Sequence, residues 1–181
     1  SVFWFTVSFP VQPEEDRPNG LPHTALRDHR VLIVDDHLTN RQVLEQSLHK
    51  QGVICESAAD GFQALECLRS AAGRQKPFEL AILDMQMPGM DGLELARRIK
   101  SEPAIRATRL VLLTSVGRRG DAKAAQGVGI DAYLTKPIRQ SLLYQCLTLV
   151  LGGVPNTDDI TAQTATQIIT RNSVSEAHAR S

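Results

Sequence analysis

Five short aliphatic runs alternate with segments of helical period along the chain. Val31, Leu32, Ile33 and Val34 form a continuous apolar run that stops at Asp35 and Asp36, as expected of a strand buried on both faces. Residues 53–57, 78–84, 110–114 and, more weakly, 132–135 repeat that pattern. Between them, residues 39–50 set Val43, Leu44 and Leu48 at helical spacing, residues 60–70 do so with Ala64, Leu65 and Leu68, and residues 92–100 with Leu93, Leu95, Ala96 and Ile99. A short helix is predicted at 121–126 and a longer one at 141–151, the latter carrying Leu142, Leu143, Cys146, Leu147 and Val150. Strand followed by helix, five times, predicts an α/β fold: a doubly wound parallel sheet of five strands, with right-handed crossovers and a ligand crevice at the carboxyl ends of the strands.

The flanks differ from this core. Residues 10–29 hold Pro10, Pro13, Pro18 and Pro22 among acidic and polar residues, a composition that disfavours helix and offers little to bury, so the segment is expected to be a linker. Residues 152–181 have little sustained apolar period and are expected to be a linker or disordered tail. The core is therefore assigned to residues 30–151. With 181 residues, 42% of them hydrophobic and 22% charged, the chain suits one globular domain with tails. Twenty basic residues balance twenty acidic ones, so no global positive field favours nucleic acid. No apolar run approaches the roughly 20 residues of a membrane helix. Cys55, Cys67 and Cys146 are odd in number and widely spaced, which argues against a disulfide framework or a zinc site and for packing roles in a reducing, cytoplasmic setting.

In such a sheet the chemistry sits just past the strand ends. There the sequence puts Asp35 and Asp36 after the first strand, Asp84 at the end of the third, Thr114 and Ser115 at the end of the fourth, and Lys136-Pro137 after the fifth. Three carboxylates brought together repel one another unless a cation sits among them. The candidate ligands are oxygens apart from His37, which favours Mg2+ over zinc. Asp84 is the best nucleophile, since it is followed by the loop 85–92 and a carboxylate can accept a phosphoryl group as an acyl phosphate. Mg2+, Lys136 and the Thr114 hydroxyl would then each meet a phosphoryl oxygen.

These residues together resemble the receiver domain of two-component response regulators. Val34-Asp35-Asp36 is similar to the family's acidic pair, Asp84 to its phospho-acceptor within Asp-Met-Gln-Met-Pro-Gly-Met-Asp-Gly, Thr114 to its conformation-sensing hydroxyl and Lys136-Pro137 to its Lys-Pro signature; thirty residues separate Asp84 from Thr114 and twenty-two separate Thr114 from Lys136. The resemblance implies a flavodoxin-like sheet of order 2-1-3-4-5. It implies Mg2+ held by the Asp36 and Asp84 side chains and the Gln86 backbone carbonyl, with Asp35 acting through water or by supporting Asp36. It makes Tyr133 the switch aromatic that follows Thr114. Bulky Val116, two past Thr114, is expected to slow loss of the phosphoryl group. His37 stands where hybrid-kinase receivers frequently carry Asn or another small polar residue, and residues 71–77 lengthen the connection before the third strand.

The implied donor is the phosphohistidine domain of a histidine kinase or a histidine phosphotransfer protein, docking near residues 38–50 and 136–140. The opening Ser-Val-Phe-Trp-Phe-Thr-Val resembles the last strand of a histidine-kinase ATP-binding domain, over residues 1–9, and residues 168–173 resemble the linker before a second receiver. Both suggest a piece of a hybrid sensor histidine kinase, expected to be a homodimer whose parent chain reaches a membrane. The piece lacks a kinase core, so its expected catalysis is its own aspartyl phosphorylation and dephosphorylation. His23, His29, His49 and His178 lack the surroundings of a kinase phospho-acceptor.

Three rivals are weaker. Gly127 to Ala132 fits a loose dinucleotide fingerprint, but it precedes a strand where the fingerprint must follow one. Dehalogenase-like phosphatases need a second carboxylate two past the nucleophile, where this chain has Gln86. A docking module that works without phosphorylation would tolerate loss of Asp84, Thr114 or Lys136, and all three are present.

Overall fold

The aliphatic runs become strands because each can bury both faces, and the structure, a computed structural model describing residues 26–115, 128–152 and 168–170, shows how. In chain order the elements are β1 (Arg30–Val34), α1 (Leu38–His49), β2 (Ile54–Ala58), α2 (Gly61–Gly73), β3 (Leu80–Asp84), α3 (Gly92–Ser101), β4 (Arg109–Ser115), β5 (Ala132–Lys136), α4 (Gln140–Gly152) and β6 (Ile168–Thr170). The sheet runs β2-β1-β3-β4-β5-β6. Its first five strands are parallel, in the 2-1-3-4-5 order implied by the resemblance.

Alternation along each strand divides the core in two. Leu32 and Val34 of β1, Ala81 and Leu83 of β3, and Leu110 and Leu112 of β4 join Ala64, Leu65 and Leu68 of α2 and Leu95, Ala96 and Ile99 of α3. Val31, Ile33, Leu80, Ile82, Val111 and Leu113 face the other way, onto Leu44 and Leu48 of α1 and Leu142, Leu143, Cys146 and Leu147 of α4. Truncating a buried leucine in either layer costs about 2–5 kcal/mol. Caps fix where the helices begin. Asp60 caps α2 by accepting the Phe62 and Gln63 N–H groups at 2.9 Å, and the Gln63 side chain reaches back to accept the Ala59 N–H, one residue before the cap, at 2.6 Å. Asp91 caps α3 by accepting the Glu94 N–H at 2.7 Å.

Two departures from the sequence pattern matter. Val43, at helical spacing with Leu44 and Leu48, is 57% exposed beside Leu38 at 59%. Its position lies at the edge of the α1 stripe, which Leu44 and Leu48 suffice to fill. The segment expected to be only linker or tail contributes β6, whose Ile168, Ile169 and Thr170 pair antiparallel with Leu134, Tyr133 and Ala132. Three residues are too few to register as a period, and β5 would otherwise end the sheet with an unpaired edge. The predicted helix at 121–126, Val116, the 1–9 strand and the first part of the 10–29 linker lie outside the described residues. Among the described residues no helix is long and apolar enough to cross a membrane.

The three thiols are packing groups. Cys146 is buried in the α1–α4 layer, and Cys55 and Cys67 lie partly buried against the two layers. Burial pushes the Cys55 and Cys146 thiols up to about 12, so they stay protonated and unreactive near neutrality.

Candidate functional site

Strand register assembles the site. Val34 of β1 pairs with Leu83 of β3, so Asp35 and Asp84 are each one step beyond that pair on neighbouring strands. Asp84 in turn pairs with Leu113, one residue before Thr114, and Ser115 pairs with Lys136. Lys136 therefore reaches back across β4. Its Nζ lies 2.9 Å from Asp84 Oδ1 and donates to Asp35 Oδ2 at 3.1 Å, an ammonium held between two carboxylates that are 8% and 1% exposed.

Burial alone would lower the Lys136 pKa. The hydrogen bonds and charges of Asp84 and Asp35 more than reverse that, and the pKa is raised above the ordinary lysine value. Asp35 is held from every side: it accepts the His37 N–H at 2.8 Å and Asn40 Nδ2 at 3.1 and 3.0 Å on its two oxygens, while its carbonyl accepts Arg41 NH1 at 2.6 Å. Asp36 is partly buried, 25% exposed, with His37 Nδ1 2.9 Å from its Oδ1. Asn40 and Arg41 escaped the sequence reading. Their signal is positional, since residues five and six past a strand-end aspartate fall on the first turn of the helix that follows.

The expected residues are not all in mutual contact. Asp35, Asp84 and Lys136 form one ion-paired group, and Asp35, Asp36 and His37 offer ligand atoms within 4.8 Å of one another. The Thr114 hydroxyl instead donates to the Ser115 carbonyl at 3.2 Å. Tyr133 is partly buried against the α2–α3 layer. Gln86 is exposed on the loop after Asp84. That loop is tied down by Met85 N–H to Leu113 O at 2.8 Å and Gly92 N–H to Met85 O at 3.1 Å. At Gly92 a Cβ would collide with the Asp84 carbonyl oxygen and stand 2.7 Å from Leu112 Cδ1, so only glycine lets α3 start this close to Asp84.

Lys136 is paired with Asp35 and Asp84, and Asp36 adds a third carboxylate beside the His37 ring, which leaves the rim lined with carboxylate oxygens. That donor set fits a hard divalent cation. Next to it, Val43, Leu44 and Ser47 of α1 face Pro137, Ile138, Gln140 and Leu143 across a cleft of about 290 Å3 that also touches Asp35 and Lys136. Ser47 is tied to α4 by Tyr144, whose hydroxyl donates to Ser47 O at 2.9 Å and lies 2.8 Å from Ser47 Oγ.

The response regulator receiver domain family matches residues 31–148. The chain is 32% identical over 154 residues to probable histidine kinase 2 of Oryza sativa subsp. indica, an alignment covering 79% of this chain and 14% of that protein. It is 32% identical over 159 residues to sensor histidine kinase RcsC of Escherichia coli, covering 82% and 16%. It is 36% identical over 115 residues to response regulator PleD of Caulobacter vibrioides, covering 64% and 24%. The chain thus spans a quarter or less of the length of these curated relatives. Among solved structures it resembles the Vibrio cholerae chemotaxis protein CheY4, with a TM-score of 0.62 and 30% identity over 68% of this chain and 99% of that one. The signal receiver domain of a Syntrophus aciditrophicus histidine kinase is as similar, with a TM-score of 0.62 and 31% identity over 74% and 97%.

Proposed function

The chain belongs to the response regulator receiver domain family and is a receiver of two-component signalling, and on that premise we propose that Asp84 accepts a phosphoryl group from a phosphohistidine. One observation carries this reading: Lys136 bridges Asp84 at 2.9 Å and Asp35 at 3.1 Å at the carboxyl ends of the central strands.

An Asp84 oxygen attacks phosphorus, and the P–N bond of the donor breaks as the new P–O bond forms. The developing charge lies on the phosphoryl oxygens. Lys136, already beside Asp84, pairs with one of them as its contact with the ionised Asp84 weakens. The Thr114 hydroxyl turns to a phosphoryl oxygen and gives up the Ser115 carbonyl. Tyr133 then moves into the space left near Thr114, a shift between two arrangements a few kcal/mol apart. Asp36, Asp84 and the Gln86 carbonyl would hold Mg2+, with Asp35 supporting Asp36. When bound, the ion neutralises charge on the moving phosphoryl group.

The donor is a phosphohistidine domain or a histidine phosphotransfer protein. Receivers of hybrid kinases take phosphate from such modules, and the cleft beside Lys136, lined in part by the exposed Val43, supports docking there. The parent is read as a hybrid sensor histidine kinase, working as a homodimer on the cytoplasmic side. Its receiver is assigned to residues 30–151, flanked by a linker at 10–29 and a linker or tail at 152–181.

The test is a Mg2+-dependent mass gain. Incubated with acetyl phosphate, the chain gains one phosphoryl group when Mg2+ is present, and Asp84→Asn gains none. A folded wild type that gains nothing would reduce the domain to a docking module.

A further inference from the structure

The sheet has two edges, and the chain treats them differently. β2 ends one side of the sheet and carries Glu56, which accepts Arg30 Nη2 of β1 at 2.7 Å; a charged residue within an edge strand discourages further pairing. β5 has no such guard over Ala132, Tyr133 and Leu134, and there the chain lays down β6, pairing Thr170 with Ala132, Ile169 with Tyr133 and Ile168 with Leu134. β5 is also the strand that carries Tyr133 and, at its end, Lys136, whose Nζ is 2.9 Å from Asp84 Oδ1. On its inner side Tyr133 pairs with Leu112 of β4, two residues before Thr114. The central residue of β6 is therefore directly opposite the residue assigned above to the switch.

We propose that β6 is an autoinhibitory strap: paired with β5, it favours the arrangement of Tyr133 and Thr114 seen here, and a phosphoryl group on Asp84 loosens it. The inference rests on the phosphoryl-acceptor reading above and adds a regulator to that site. A pairing partner shifts a switch only through a difference in how it holds the two arrangements. That difference is available at the centre of the strap. Directly opposite residues of an antiparallel pair lie about 4.5–5.5 Å apart at Cβ, so Tyr133 cannot move toward Thr114 without changing its pair with residue 169. In the arrangement seen here, with β6 in place, the Thr114 hydroxyl is turned to the Ser115 carbonyl at 3.2 Å and Tyr133 is partly buried against the α2–α3 layer. One cross-strand pair sets the size of the coupling, roughly two- to fivefold in an equilibrium constant. The strap is suited to release, because three residues make few ladder bonds and such segments open at the low end of a protein's stability range. Coupling between two binding events is reciprocal, so whatever loosens the strap favours the phosphoryl group by the same factor.

The probe is beryllofluoride, a tetrahedral mimic of the phosphoryl group that binds carboxylates reversibly. It is titrated with Mg2+ present and its bound fraction counted by fluorine NMR in wild type, Asp84→Asn and a double variant carrying Ile168→Pro and Ile169→Pro. Successive strand residues direct their N–H groups to opposite sides, so one of the two prolines removes a β6 donor to β5. Unfolding curves check that each variant is folded. The double variant should bind beryllofluoride roughly two- to fivefold more tightly than wild type. In wild type, saturating beryllofluoride should speed hydrogen exchange of the amides at 132–134 and 168–170 by a similar factor, a measurement that needs no variant. Equal or weaker binding by the double variant, or wild-type exchange that beryllofluoride leaves unchanged, overturns the strap and leaves Asp84 standing as the acceptor. Beryllofluoride that fails to bind wild type, or that Asp84→Asn binds as well, overturns the acceptor site and this inference with it.

Discussion

The two ends of the sheet are made of the same residue types and behave oppositely. At the amino ends of the strands the charges close on one another: His29 Nδ1 is 2.7 Å from Glu79 Oε2, Arg30 NH2 donates to Glu56 Oε1 at 2.7 Å, and Asp131 accepts the Leu110 N–H at 2.8 Å with Lys100 and Arg109 at 3.8 and 4.0 Å. Arg30 also lies 5.1 Å from the centre of the Phe78 ring. Each acid there has its own base. At the carboxyl ends Lys136 is shared by Asp35 and Asp84, which are nearly sealed from water, while Asp36 lies against the His37 ring. A satisfied rim is scaffold, and a rim left short of positive charge can take up a cation and a phosphoryl group. What separates them is charge balance rather than composition.

Breaking the upper rim should therefore cost function, and breaking the lower one should not. The largest effect is expected at Asp84: Asp84→Asn loses all phosphoryl gain, whereas Glu79→Gln keeps the wild-type yield in the same mass assay. Next comes Gly92→Ala, whose Cβ collides with the Asp84 backbone and should cost about 3 kcal/mol of stability in denaturant unfolding, the upper part of the overpacking range. Lys136→Met leaves Asp35 and Asp84 facing each other uncompensated. With Lys136 27% exposed, the expected loss is about 2 kcal/mol, less than for a fully buried pair, and Mg2+ should restore part of it by supplying the missing charge. Arg109→Met at the lower rim removes a half-exposed contact and should change stability by no more than about 0.5 kcal/mol.

The smallest effect sharpens the contrast through pH. Because the folded-state pKa of Lys136 lies above the ordinary value of 10.5, its contribution is fully present below that value and is lost as pH rises through the folded one. Above about pH 10.5, wild type should lose stability more steeply than Lys136→Met. Parallel curves in that window would detach the lysine from the two carboxylates.

Much of this was legible in the chain itself, for a physical reason. Strands such as Val31 to Val34 are hydrophobic on both faces, so their boundaries are marked by the first polar residue, and in a parallel sheet that residue is where chemistry collects. The pattern thus located Asp35, Asp36, Asp84, Thr114 and Lys136 together. It could not show that Lys136 reaches two carboxylates at once, because that depends on register across three strands. Nor could it show that the Thr114 hydroxyl is turned to Ser115, which is a rotamer choice. Val43 misled because apolar spacing marks a helix face without saying where the stripe ends. β6 was hidden because pairing with an open edge needs only three residues of extended backbone.

The central claim is that Asp84 carries the phosphoryl group, and it is tested most directly by trapping. Borohydride reduces an aspartyl phosphate to homoserine, so the chain treated with acetyl phosphate and Mg2+, reduced and digested, should yield homoserine at position 84 and aspartate at 35 and 36. Homoserine at position 35 or 36, or its absence from a chain that has gained a phosphoryl group, would contradict the account.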